Sequence, residues 1–146
     1  MKAKPVMTRE VIYVGPHQPL SMAYRSMVLW KVRHMPVVER GKLVGILSDR
    51  DVLIHATRKT DEIFVPAMTV DDAMTASPIT LAPDGTVSRA AELMLEYKID
   101  ALPIVSGEKH VGLVTSSDLL VLLIGNNERV DEVKLPFSFK LREAEA

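Results

Sequence analysis

The chain has 146 residues, 47% hydrophobic and 25% charged, the composition of a folded globular protein and not of a disordered one. Lys and Arg number 18 against 19 Asp and Glu, a formal net charge of -1, so no global basic field holds it to nucleic acid or to an anionic membrane. It has no cysteine, which excludes disulfides, a thiol nucleophile and Cys-based metal sites.

The polar start, Met1 to Pro5, opens no signal peptide, and the longest apolar run, Leu119 to Ile124, is far too short to span a bilayer. A cytoplasmic protein without membrane association is therefore expected.

The chain repeats itself. Pro36 and Pro103, Gly45 and Gly112, and Asp51 and Asp118 are each 67 residues apart. That one offset lays Val6–Ile54 on Ala73–Val121 without a gap and with fifteen identical positions. A duplicated unit follows, able to pack about a pseudo-two-fold axis.

In chain order, Ile12–Val14 and its counterpart Ile79–Leu81 read as short extended pieces. Leu20, Ala23, Met27 and Trp30 recur at helical spacing, as do Val87, Ala90, Met94 and Tyr97. Trp30 and Tyr97 are therefore assigned to core or helix packing and not to base stacking. Pro19 suits a first helical turn, and Thr86 in the matching place suits a cap. The β-branched runs from Pro36 and Pro103 read as strands. Turns follow at Arg40–Lys42 and Gly107–Lys109, then return strands at Leu43–Leu47 and His110–Val114. A second helix is predicted over Asp49–Ala56 and again over Ser116–Ile124, with Gly125 ending the latter. Between the copies, Thr57–Pro66 is a charged linker and Thr69–Asp72 opens a short helix. The tail Glu128–Ala146 is polar except for Leu135–Phe139, and the sequence does not place it.

The segments Gly45–Asp51 and Gly112–Asp118 share the pattern Gly, two apolar residues, Ser or Thr, two residues, Asp. Read physically, each is a strand entering a helix. Ser48 or Thr115 stands beside unpaired N–H groups where an anion is favoured. The Asp lies one turn on, and its carboxylate can accept both hydroxyls of a ribose. The same residues also fit a plain helix cap, with Asp three positions after Ser or Thr, and one residue can serve both roles.

Met7-Thr8 and Met74-Thr75, then Met35-Pro36-Val-Val and Leu102-Pro103-Ile-Val, then the two Gly-to-Asp segments give each copy three motifs in one order. In this each copy resembles a CBS domain (the repeat of cystathionine β-synthase), and the pair resembles a Bateman module. The resemblance runs from Lys4 to Gly125. It implies an α+β fold of two pseudo-symmetric β-α-β-β-α repeats packed through their sheets. The repeats are expected at 4–58 and 71–125, with a linker at 59–70 and a tail at 126–146.

The resemblance also implies a nucleotide-binding set. In copy one this is Thr8, Ile12, Arg33, His34, Met35, Pro36, Ser48, Arg50 and Asp51. In copy two it is Thr75, Ile79, Ala101, Leu102, Pro103, Thr115, Ser117 and Asp118. Asp51 and Asp118 would hold ribose, and Ser48 and Thr115 would lie on the phosphate side. The stretches before Pro36 and Pro103 would line an adenine pocket in the cleft between the copies. Arg33, His34 and Arg50 have Asp100, Ala101 and Ser117 as counterparts, so two unequal sites are expected.

The function implied is regulatory binding of AMP, ADP, ATP or a related adenosyl compound, with no catalytic cofactor and no enzyme activity, acting on a separate regulated protein. The alternative is a structural dimerisation module without a physiological nucleotide. A homodimer is expected through the second helices, with Leu122 on the contact, because Leu119–Ile124 is apolar nearly all round. His17, His34, His55 and His110 show no metal-ligand spacing, and the charge balance argues against nucleic acid.

Overall fold

In the computed structural model, the residues described are 7–124 and 134–145, with the side chains of Met7 and Thr8 left aside. Gly125, predicted to stop the last helix, and the tail up to 133 lie outside them. The chain is mixed α+β and carries the β-α-β-β-α order twice.

Copy one begins on β1 (Met7–Tyr13) and α1 (Leu20–Trp30). Helix α1 buries Leu20, Met22, Ala23, Ser26 and Met27 on one face. Its first-turn proline, Pro19, is the N-cap, where a missing N–H costs nothing. Strands β2 (His34–Glu39) and β3 (Lys42–Ser48) form an antiparallel hairpin. Its two-residue turn has Arg40 and Gly41 at φ 52° and 79°, the left-handed pair that matches strand twist. Helix α2 (Asp49–His55) leaves β3 directly. Ile12, Leu20, Met35, Val37, Leu47 and Val52 meet in the core of this copy.

Strands β4 (Thr57–Lys59) and β5 (Glu62–Phe64) then pair as an exposed hairpin where a linker was expected. Helix α3 (Val70–Ala73) starts at Thr69 as predicted, with the Asp72 carboxylate accepting from the Thr69 N–H at 3.1 Å. Strand β6 (Thr75–Ala76) lies antiparallel against β3, Gly45 opposite Ala76. A Cβ on Gly45 would stand 2.9 Å from the Thr75 carbonyl oxygen, so glycine there is what lets the two backbones close.

Copy two repeats the plan. Helix α4 (Val87–Tyr97) is capped by Thr86, whose hydroxyl accepts from the Arg89 N–H at 3.0 Å. Strands β7 (Ala101–Ser106) and β8 (Lys109–Thr115) pair, and α5 (Ser116–Ile124) has the bounds predicted for it. Ile79–Leu81 is not a strand; only Leu81 makes a bridge, to Ile104, as Val14 does to Val37. The two hairpins agree residue for residue at the 67-residue offset, down to an irregularity after Val37 and after Ile104. Helices α1 and α4 both end on a left-handed lysine, Lys31 and Lys98, each at φ 54°.

The tail supplies β9 (Phe137–Glu143), which joins β1 in a two-stranded sheet. Phe139 covers Gly112 so closely that a Cβ there would collide with the ring, and Leu135 and Phe137 also pack on the copy-two core. By contacts the chain divides into two units of mixed origin: residues 1–11 with 79–140, and 12–78 with 141–146. Trp30 and Tyr97 are not core residues; they are 38% and 49% exposed, and the Arg142 guanidinium stacks 4.8 Å over the Trp30 ring.

Buried His110, on β8, has its Nε2–H donating to the Gly112 carbonyl at 3.0 Å. Burial holds its pKa below the ordinary 6.5, and the hydrogen bond offsets this only in part. The unfolded chain therefore takes up a proton near pH 6.5 that the folded one refuses. Stability should be full above pH 6.5 and fall as pH drops from there through the lowered pKa. Urea melts at pH 7.5 and 5.5 should show a larger loss in the wild type than in His110→Gln.

Candidate nucleotide site

The register of the β2–β3 hairpin sets His34 opposite Ser48, so the residue before β2 and the residue after β3 adjoin. The Asp49 N–H donates to the Arg33 carbonyl at 2.9 Å, and the Arg33 Nε lies 3.2 Å from Asp49 Oδ2. This pair is exposed and worth little.

Ser48 and Asp51 form a complete capping box. The Asp51 N–H donates to Ser48 Oγ at 3.1 Å, and the Ser48 N–H donates to Asp51 Oδ2 at 2.9 Å. The Arg50 N–H is taken by Asp49 Oδ1 at 2.9 Å. The backbone donors expected to meet an anion at this helix start are thus satisfied internally. Any phosphate must be met by side chains, the Ser48 hydroxyl proton and the Arg50 guanidinium among them. Asp51 Oδ1 has no hydrogen-bond partner among the described residues. The half-buried Asp51 carboxylate therefore keeps the lone pairs that two vicinal hydroxyls need.

Copy two has the same cap, the Thr115 N–H donating to Asp118 Oδ2 at 2.7 Å and the Asp118 N–H to Thr115 Oγ1 at 3.3 Å. Here the carboxylate is already engaged. Arg9 Nε lies 3.1 Å from both Asp118 oxygens, and the two side chains are only 25% and 17% exposed. Arg9 Nη1 also donates to the Glu10 carbonyl. Sequence reasoning missed Arg9, although the offset sets it against Ala76, a difference visible in the two copies.

The other sequence-predicted residues divide by depth. Ile12, Met35 and Leu102 have their side chains in the two hydrophobic cores, and Pro36, Ala101 and Pro103 are buried. Ile79 packs at the edge of the copy-two core. Two carbonyls near Pro36 already accept, that of Arg33 from Asp49 and that of Pro36 from Val14. His34 is half-buried, and Arg33, Arg50, Thr75 and Ser117 are exposed. The Thr8 side chain lies outside the described residues. Among these, no group of three or more His, Asp or Glu is placed to hold a metal ion, and no helix is long and apolar enough to cross a membrane.

Two repeats with these motifs have known counterparts. The family model for the CBS domain matches twice, over residues 3–57 and 70–125. The chain belongs to the CBS domain family. It is 33% identical over 123 residues to the CBS domain-containing protein YhcV of Bacillus subtilis (strain 168), covering 84% of this chain and 86% of that one. Among solved structures it resembles CBSX2 in complex with AMP, with a TM-score of 0.70 and 26% identity over 81% of this chain and 91% of that one. It also resembles the CBS domain pair of protein MJ0100 in complex with 5'-methylthioadenosine and S-adenosyl-L-methionine, with a TM-score of 0.64 and 28% identity over 84% and 91%. Inosine-5'-monophosphate dehydrogenases match as well, but the chain spans only 22–23% of the length of those relatives.

The capping boxes make a stability prediction of their own. Asp51→Ala removes one capping bond and should cost about 1 kcal/mol. Asp118→Ala also strips Arg9 of its partner and should cost more. Urea unfolding of the two variants checks the order. A loss of stability is thus expected whether or not nucleotide binds, and only affinity separates the two roles.

Proposed function

We propose that this chain is a regulatory module that binds an adenosine nucleotide, AMP, ADP or ATP, and passes its state to a separate protein. The repeats are taken as 4–58 and 71–125, joined by 59–70 and followed by 126–146. The observation that carries the reading is the Asp51 carboxylate, fixed in a capping box by one oxygen, with no partner at the other among the described residues. A fixed carboxylate loses little freedom on accepting the ribose hydroxyls. Ser48, Arg50 and, once released from Asp49, Arg33 are the phosphate-side groups, and the Val32–Pro36 stretch is the adenine side. The ligands of CBSX2 and MJ0100 share adenosine and differ beyond it, which fits a site whose fixed contact is to the ribose.

Calorimetry with adenosine, AMP, ADP, ATP and S-adenosylmethionine tests the reading. A hydrogen bond to a charged group contributes roughly 1.5–3 kcal/mol, so Asp51→Ala should weaken binding at least about tenfold. Arg50→Ala should weaken the phosphorylated ligands and leave adenosine unchanged. If no adenosine compound binds the wild type, or Asp51→Ala leaves affinity intact, the reading is wrong.

The association surfaces proposed are the exposed apolar residues of α2 and those of α5, each meeting a second copy of the chain. Leu122 is not on them: it is 5% exposed and belongs to the copy-two core, so Leu122→Glu would report folding and not assembly. Leu53, Ile54, Leu120, Val121, Leu123 and Ile124 are the exposed apolar residues, Ile124 at 86%. Leu120→Glu with Leu123→Glu should halve the mass measured by light scattering without altering the circular dichroism. A wild type that is monomeric at all working concentrations contradicts this.

A further inference from the structure

The two capping aspartates differ in one respect that their local sequences hide. Asp118 is closed off by Arg9, which comes 109 residues earlier in the chain and brings Nε to 3.1 Å from both carboxylate oxygens. Together with the Thr115 N–H, three contacts fall on the two oxygens. At the 67-residue offset the position of Arg9 is held by Ala76. Ala76 lies opposite Gly45 on the strand that leads to Ser48 and Asp51, so the side chain matching Arg9 is a methyl group without charge. Among the described residues, the same carboxylate thus has no cationic partner in copy one and an arginine in copy two.

We infer that Arg9 is an internal competitor for the ribose position at Asp118, so that the chain takes one adenosine nucleotide, at Asp51, and keeps the second site shut. This rests on the proposed ribose role of Asp51. The competition is unequal for a physical reason. A ribose hydroxyl is neutral, whereas the guanidinium is always charged and already part-buried against the carboxylate. A nucleotide binding at Asp118 must first break that ion pair and leave a part-buried cation without its partner. The expected result is an affinity at Asp118 lower by about ten- to a hundredfold than at an unblocked carboxylate. Arg9 is a positioning residue here, acting on the ligand only through Asp118.

The test is the stoichiometry of AMP and ATP binding by calorimetry on the full chain. The wild type should take one equivalent and Arg9→Ala two. Asp51→Ala alone should lose the tight equivalent. Asp51→Ala combined with Arg9→Ala should regain one, now at Asp118, a recovery that a merely structural role for Arg9 would not produce. Arg9→Lys, which keeps the charge, should hold the count at one. If Arg9→Ala fails to fold, Arg9→Gln keeps the side-chain stem and should give the same count of two.

A wild type that binds two equivalents, or an Arg9→Ala or Arg9→Gln variant that folds and stays at one, overturns the competition while leaving the adenosine reading in place. An Arg9→Ala variant with weaker binding at the single wild-type site would make Arg9 a ligand of phosphate and overturn it equally. Absence of any binding in every variant removes the adenosine reading itself.

Discussion

The register of the two hairpins is the constraint on which the rest depends. Alternate residues of a strand face opposite ways, so a slip of one residue in β2 against β3 would turn Met35 and Val37 out of the core. It would also part Arg33 from Asp49 and Ser48 from His34. Two features pin the register. One is the left-handed turn at Arg40-Gly41. The other is the opening segment, where Val14 donates to the Pro36 carbonyl and accepts from Val38, at 3.0 and 2.8 Å. Pro36 has no N–H to offer, so a bridge that uses only its carbonyl suits it. Copy two does the same with Leu81, Pro103 and Val105.

From that register the site follows. The return strand ends on Ser48, the helix begins at once, and the capping box forms because Ser and Asp are three apart. The cap and the ligand reading rest on different atoms. Asp51 Oδ2 belongs to the helix, while Oδ1 has no partner among the described residues. The cap holds the carboxylate in a fixed orientation, which is what the proposed site needs from its supporting structure.

How much could be read from residues alone depended on the range of the interaction. The 67-residue offset made both hairpins, both long helices and both aspartates legible, because each rests on neighbours close in sequence. The β4–β5 hairpin was not legible: Thr57–Lys59 carries no apolar alternation and its turn has no glycine, Thr60 instead taking φ 52°. The tail strand did carry a signal, Leu135, Phe137 and Phe139 at a spacing of two, but no partner could be named for it. Trp30 and Tyr97 kept the helical period yet lie where the apolar stripe meets solvent. Arg9 was hidden for the same reason as the tail, since its partner is 109 residues away.

The units of mixed origin bear on how the chain is made. Residues 7–11 are synthesised well before residues 79–124, yet they group with them. Closing so long a loop is slow, because its entropy must be met before the contact forms. During synthesis the Arg9 guanidinium therefore stays in water until residue 118 has emerged, while the Asp51 cap, three residues across, forms as soon as its helix does. Copy one can assemble its open carboxylate early, and copy two acquires its occupied one last.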